Sequence, residues 1–112
     1  NVAELYVAMD VVVHTSIEPE PFGLVITEAM AYGVPVVAST LGAPREIIHD
    51  KYDGFLVHPA ETAELAAAIT TLLLDDGLRK TIGARARQTA LKNYNAKTYA
   101  ENVEKIYRQV LA

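Results

Sequence analysis

The chain contains no cysteine and no tryptophan, so a disulfide framework and a thiolate metal site are both excluded. Its three histidines, His14, His49 and His58, are too widely spaced to form a local ligand pair. No apolar run approaches the roughly 20 residues that cross a bilayer; runs such as Leu72-Leu73-Leu74 and Val34 to Ala38, the second broken by Pro35, fall far short. No basic stretch followed by an apolar core opens the chain, so no secretory leader is visible. Basic residues are scarce where they would matter most. Residues 1–60 hold only Arg45 and Lys51 against eight acidic side chains, while residues 61–112 hold eight basic and six acidic ones. A net charge of −4 over 112 residues argues against a nucleic-acid binder. At 51% hydrophobic, the chain has the composition of one soluble, intracellular globular domain.

Hydrophobic periodicity predicts a helix over 2–9, with Val2, Leu5, Tyr6 and Met9 on one face. The β-branched run Val11-Val12-Val13 reads as a buried strand. His14 to Gly23, with two prolines and no period, is a loop, followed by a helix from Leu24 to Tyr32 that Gly33 stops. A second strand is expected over 34–38, a short helix over 45–49, a turn at Asp53-Gly54 and a third strand over 55–57. After Pro59 a helix runs to Leu74, with Glu61 and Glu64 near its positive end and Leu65, Ala68, Ile69, Leu72 and Leu73 as its apolar stripe. Asp75-Asp76-Gly77 breaks it, and helices over 78–93 and 96–111 complete the chain.

Strands alternating with helices indicate an α/β layer built on a parallel sheet. Three short strands preceded by a helix suit the second half of a doubly wound, Rossmann-like sheet flanked by helices. The edge of the 11–13 strand is then expected to be exposed, with either self-association through it or reduced stability as the result.

The stretch from Ser16 to Ala31 carries the chemistry. It leaves the carboxyl end of a parallel strand, where open α/β sheets bind ligands, and passes through Gly23 into a helix start. First-turn amides at Gly23, Leu24 and Val25, with the positive end of the dipole, form a seat for a phosphate, and Gly23 lets a ligand approach the backbone. Glu28, one turn on, leans back toward the helix start and could accept two hydrogen bonds from a vicinal diol such as a ribose. Glu20 would approach from the opposite side. The same residues are compatible with a capping glycine and two solvated glutamates, or with a glycosidase carboxylate pair, since such pairs are defined by distance in space.

Glu20 and Glu28 enclose seven residues, and the string EPFGLVITEAMAYGVPVVAS resembles the E-x7-E signature of retaining GT-B glycosyltransferases, family 4 in particular. The likeness continues through Gly42-Ala43-Pro44-Arg45-Glu46-Ile47-Ile48, Gly54-Phe55-Leu56-Val57 and the terminal helices. It implies the C-terminal, donor-binding domain of such an enzyme, of which residues 1–112 would be a part. It further implies that Glu28 binds the ribose of a nucleoside diphosphate sugar and that Glu20 contacts the donor sugar at the reacting centre. Phe22 would flank that sugar, and amides around Gly23, Leu24 and Val25 would hold the diphosphate. No metal or other cofactor is expected. The family's glycine pair before the Ala-Pro-Arg-Glu segment is Leu41-Gly42 here, and its upstream Arg and Lys are absent.

The expected partners are therefore a nucleotide-sugar donor, a glycan or lipid-linked acceptor and an N-terminal domain that this chain lacks; by itself the chain should be inert. The expected location is cytoplasmic, with a membrane-peripheral position open to the full-length enzyme. A free-standing, non-catalytic nucleotide-sugar-binding or interaction module is the alternative. Arg45 and Glu46 read as solvated or site-facing, and His14 as structural. Tyr94, Tyr99 and Tyr107 read as packing of the last helix, and Arg79, Lys80, Arg85 and Arg87 as a solvated helix face or a contact for an anionic membrane surface.

Overall fold

The fold is taken from a computed structural model, which describes residues 2–15, 23–93 and 108–109. The expected helix over 96–111 falls outside them except at Arg108 and Gln109, which are helical; Tyr94, Tyr99 and Tyr107 lie outside too.

Eight elements follow in order: α1 (Val2–Val7), β1 (Val12–His14), α2 (Leu24–Ala31), β2 (Val36–Ser39), α3 (Pro44–Ile47), β3 (Phe55–Val57), α4 (Thr62–Leu74) and α5 (Asp76–Asn93). The strands form one parallel sheet in the order β1-β2-β3, as expected for an α/β layer. Val12 pairs with Val36 and His14 with Ala38; Val37 pairs with Phe55 and Ser39 with Val57. The central strand β2 is buried along its whole length, which is why it reads as a continuous apolar run rather than an alternating one. Among the described residues β1 pairs on one side only, and Val13 on it is 42% exposed.

Successive side chains of a strand point to opposite faces, so β2 feeds two cores. Val36 and Ala38 join Tyr6, Val12, Ile26, Ala29, Met30, Ile47, Ile48, Ala86 and Ala90 beneath α2. Val37 joins Val57, Ala68, Leu72 and Ile82 beneath α4. Complete burial of Ile26, Met30, Leu72 and Ile82 contributes about 1.5–3 kcal/mol each. Helix α5 serves both cores and packs chiefly against α2. The two meet where Gly83 faces Gly33, so closely that a Cβ on Gly83 would lie 2.3 Å from the Gly33 carbonyl oxygen.

Gly33 ends α2 as expected, in the left-handed region (φ 73°). Its N–H donates to Met30 O and that of Val34 to Ala29 O, the two bonds of a Schellman motif.

Several boundaries shift. Pro35 has no N–H, but its carbonyl accepts from Val12 N, so pairing begins at Val12 and Val36 instead of at Val11 and Val34. The break after α4 shrinks to Asp75, whose Oδ1 accepts from Leu78 N and starts α5 at once. Two expected apolar faces are only partly buried. Helix α1 ends at Val7 instead of residue 9; Tyr6 on it is inside, but Leu5 (60%) and, past its end, Met9 (41%) are exposed, and on α4 Leu73 is 50% exposed.

Candidate functional site

Helix α2 begins at the carboxyl edge of the sheet. Its first internal backbone bond runs from Thr27 N to Gly23 O, and the Thr27 hydroxyl donates to the carbonyls of Gly23 and Leu24. Gly23 occupies the N-cap position with φ 61° and ψ 24°, a left-handed geometry that an L side chain resists. A second constraint acts on the same residue: a Cβ there would meet Ile47 Cδ1 at 2.4 Å and Ala43 Cβ at 3.2 Å. Packing thus gives a reason for glycine that differs from the expected one, room for a ligand at the backbone. The space is taken by α3, which buttresses the start of α2.

In the first two turns of α2, Ile26, Thr27, Ala29 and Met30 are buried, whereas Leu24, Val25 and Glu28 are not. The three predicted site residues thus form a single outward stripe. Val25 is 49% exposed, and its amide sits in the turn where a helix has no internal acceptors to offer. Glu28 lies one turn further on. Its Oε2 accepts a 3.4 Å hydrogen bond from the Tyr6 hydroxyl of α1. The Tyr6 ring stacks on Tyr32, centroids 5.3 Å apart and planes 12° apart. Burial, and then the charge of Glu28, push the Tyr6 hydroxyl up to about 12, so it stays protonated and donating at neutral pH. Sequence reading assigned Tyr6 only to the core; its spacing from Glu28, 22 residues away, carries no local signal. Glu20 and Phe22 lie outside the described residues.

Two depressions lie among the loops that follow the strands. Gly42, Arg45 and Glu46 border a surface depression of about 410 Å³ beside the start of α3. A smaller cavity, about 150 Å³, opens at the ends of all three strands and is bordered by Thr15, Ser39, His58, Glu61 and Thr62. Of the predicted site residues that are described, Gly23, Leu24, Val25 and Glu28, none borders it. Asp53, Arg79 and Arg85 make contacts within the fold. Asp53, fully buried, accepts from His49 N (2.7 Å), from Thr89 Oγ1 (2.8 Å) and pairs with His49 Nδ1 (2.8 Å), tying the turn before β3 to α5. Arg79, expected on a solvated face, donates to the carbonyls of Leu72 and Leu73 and pairs with Asp76, closing the C-terminus of α4. Arg85 lies over the Tyr52 ring at 4.5 Å. Among the described residues, no helix is long and apolar enough to cross a membrane.

Residues 1–89 match the model of the family "Glycosyl transferases group 1". The N-acetyl-alpha-D-glucosaminyl L-malate synthase of Bacillus anthracis is 36% identical over 111 residues, which cover 99% of this chain and 29% of that protein. Among solved structures, Anabaena HepE in complex with UDP-glucose superposes with a TM-score of 0.80 at 38% identity, covering 95% of this chain and 29% of that one. The C-terminal domain of a glycosyl transferase group 1 family protein (LpcC) from Francisella tularensis superposes with a TM-score of 0.78 at 34% identity, covering 86% of this chain and 49% of that domain. The chain spans less than a third of the length of the curated relatives it matches. With residues 1–89 matched by the family model, and its three parallel strands and flanking helices superposing on about half of such a GT-B C-terminal domain, the chain belongs to the glycosyl transferases group 1 family.

Proposed function

We propose that the chain supplies part of the donor site of a retaining, family 4 type glycosyltransferase. The observation that carries the reading is the outward stripe Leu24, Val25 and Glu28 at the start of α2, at the carboxyl edge of β1. It joins first-turn amides, which suit a diphosphate, to a carboxylate one turn away, which suits the two hydroxyls of a ribose. In this reading Glu28 holds the ribose, and the backbone around Gly23, Leu24 and Val25 receives the diphosphate. Glu20, the first glutamate of the E-x7-E motif, touches the donor sugar at the reacting carbon, and Phe22 flanks it. The bond from the sugar C1 to the diphosphate oxygen breaks, a bond from C1 to the acceptor hydroxyl oxygen forms on the same face, and the nucleoside diphosphate leaves, its freed oxygen taking the hydroxyl's proton. Fixed dipoles, rather than a resident metal, stabilise the leaving charge. A relative solved with UDP-glucose supports a hexosyl nucleotide as donor class.

The acidic balance of residues 1–60 is a poor field for a diphosphate, so activity is expected only when further basic residues and an acceptor-binding N-terminal domain complete the enzyme. The acceptor is a glycan or a lipid-linked sugar, and the place of action is the cytoplasm or its membrane surface. The one-sided β1 edge is then the seam with the rest of the sheet, and the excised chain should self-associate through it.

Titration of the full-length protein with UDP, GDP and ADP tests the reading. One nucleotide should bind, and Glu28→Ala should weaken it by about ten- to a hundredfold, the range for lost hydrogen bonds to a charged group. Unchanged affinity in Glu28→Ala would overturn it.

A further inference from the structure

The carboxylate of Glu28 has a dedicated support. Glu28 and Tyr32 lie one turn apart on the same face of α2, and Tyr6 of α1 runs along that face. Its ring is stacked on Tyr32 and its hydroxyl reaches Glu28 Oε2. Tyr6 is buried, at 8% exposure, while Glu28 is only half-buried. The donor is therefore fixed, and the acceptor is the group with freedom to move. The approach also has a direction. Tyr32 is the C-cap of α2, so the tyrosine comes from the C-terminal side, behind the carboxylate, whereas a ligand seated at Gly23 and Val25 lies ahead of it.

From this arrangement we infer that Tyr6 is a positioning residue for the donor site. It holds Glu28 Oε2 from behind, selects one rotamer of the side chain and leaves Oε1, with the outer lone pair of Oε2, directed at the two ribose hydroxyls. A glutamate in water samples several rotamers, and immobilising such a side chain on binding is costly; part of that ordering is already done by Tyr6. The hydroxyl, raised by burial and by the neighbouring charge, keeps its proton throughout the neutral range and serves only as a donor. At 3.4 Å the bond is long, so its role is orientation more than strength. The inference rests on the proposed role of Glu28 in holding the ribose.

Tyr6→Phe keeps the ring, the stack and the burial, and removes only the hydroxyl. The experiment measures Kd for UDP and for 2′,3′-dideoxy-UDP on the full-length protein (or for the corresponding guanosine or adenosine pair, if the base proves different). Four proteins are compared: wild type, Tyr6→Phe, Glu28→Ala and the double variant, with thermal midpoints recorded alongside. Tyr6→Phe should weaken the ribonucleotide about threefold, a small effect suited to a long bond that orients Glu28 without touching the ligand, and leave the dideoxynucleotide unchanged. In the Glu28→Ala background it should have no further effect, because a residue acting through another adds nothing once the other is gone. Equal weakening of both nucleotides would make Tyr6 a purely structural residue and overturn the inference. So would an unchanged Kd in Tyr6→Phe where Glu28→Ala still binds weakly; in both cases the reading of Glu28 survives. If Glu28→Ala itself leaves Kd unchanged, the ribose role falls, and the inference falls with it.

Discussion

The two faces of the sheet are built differently. Beneath α2 a core of twelve buried residues, Ile26 and Met30 among them, draws on every named helix but α4, on β1 and β2 and on the residues flanking them. Backbone meets backbone at Gly33 and Gly83, Ile47 occupies the space in front of Gly23, and Tyr6 is stacked on Tyr32. Beneath α4 the core has five members, and the helix leaves Leu73 and Leu74 at 50% and 82% exposure. What holds α4 at its ends is polar: Arg79 on its last carbonyls and the His58–Glu64 pair at its start. The helix that carries the candidate site therefore stands on the face with the least room for change. A site built from backbone amides and one carboxylate depends on where a helix begins, and a start placed by close packing is placed more narrowly than one placed by solvent-exposed pairs.

The sharpest way to break this contrast is to empty each core in turn. Met30→Ala and Leu72→Ala both remove a fully buried side chain and should each cost about 2–5 kcal/mol in urea unfolding. Only Met30→Ala, two residues beyond Glu28 on α2, should also weaken nucleotide binding after correction for the unfolded fraction. Equal losses of affinity in both variants would mean that the faces are coupled. Asp53→Ala comes next. It leaves the Thr89 hydroxyl and the His49 N–H without their acceptor, at a cost of about 1–3 kcal/mol, and it loosens α5 on the α2 side. Its effect should be seen as faster amide exchange in the 49–54 turn before any change in α4. Gly23→Ala should cost about 1–2 kcal/mol for the left-handed backbone alone. Combining it with Ile47→Val relieves part of the clash at 2.4 Å but not the φ of 61°. A double variant restored to wild-type stability would show that packing, not backbone, is what requires the glycine.

Which of these features can be read from residues alone follows from their range. The three strands and the order of elements are visible because β-branched runs and helical periods are local, and Gly33 is legible as a stop because a helix end needs a left-handed residue there. The strand starts slip by one or two residues because pairing is decided across the sheet, by the Pro35 carbonyl meeting Val12 N. Leu5, Met9 and Leu73 fit an apolar face by spacing and yet are exposed, since period says which residues share a face but not how far the neighbouring element extends over it. Gly23, Leu24, Val25 and Glu28 are legible as candidates because a glycine before a helix and a family-like string are local features. The Tyr6 contact to Glu28 and the Thr89 contact to Asp53 join residues 22 and 36 positions apart, and nothing in their local sequence announces a partner.

The smallest effect belongs to the α4 face alone and depends on pH. His58 Nδ1 lies 3.0 Å from Glu64 Oε2. The hydrogen bond and charge of Glu64 raise His58 above its ordinary 6.5, and the bond to His58 lowers Glu64 below its ordinary 4.5. A raised histidine contributes fully below 6.5 and loses its contribution as pH climbs through the folded value. A lowered carboxylate contributes above 4.5 and loses its contribution as pH falls through its own. The pair is therefore most stabilising between 4.5 and 6.5 and fades on either side. Because both groups are exposed, the gain is small and screened by salt. The thermal midpoint of Glu64→Gln should fall below that of the wild type at pH 5.5 and converge with it at pH 9, with the gap shrinking at high ionic strength. A gap of constant size across that range would assign the loss to the start of α4 itself, where Glu64 also meets the helix dipole, and would remove the histidine from the account of how the weaker face is held.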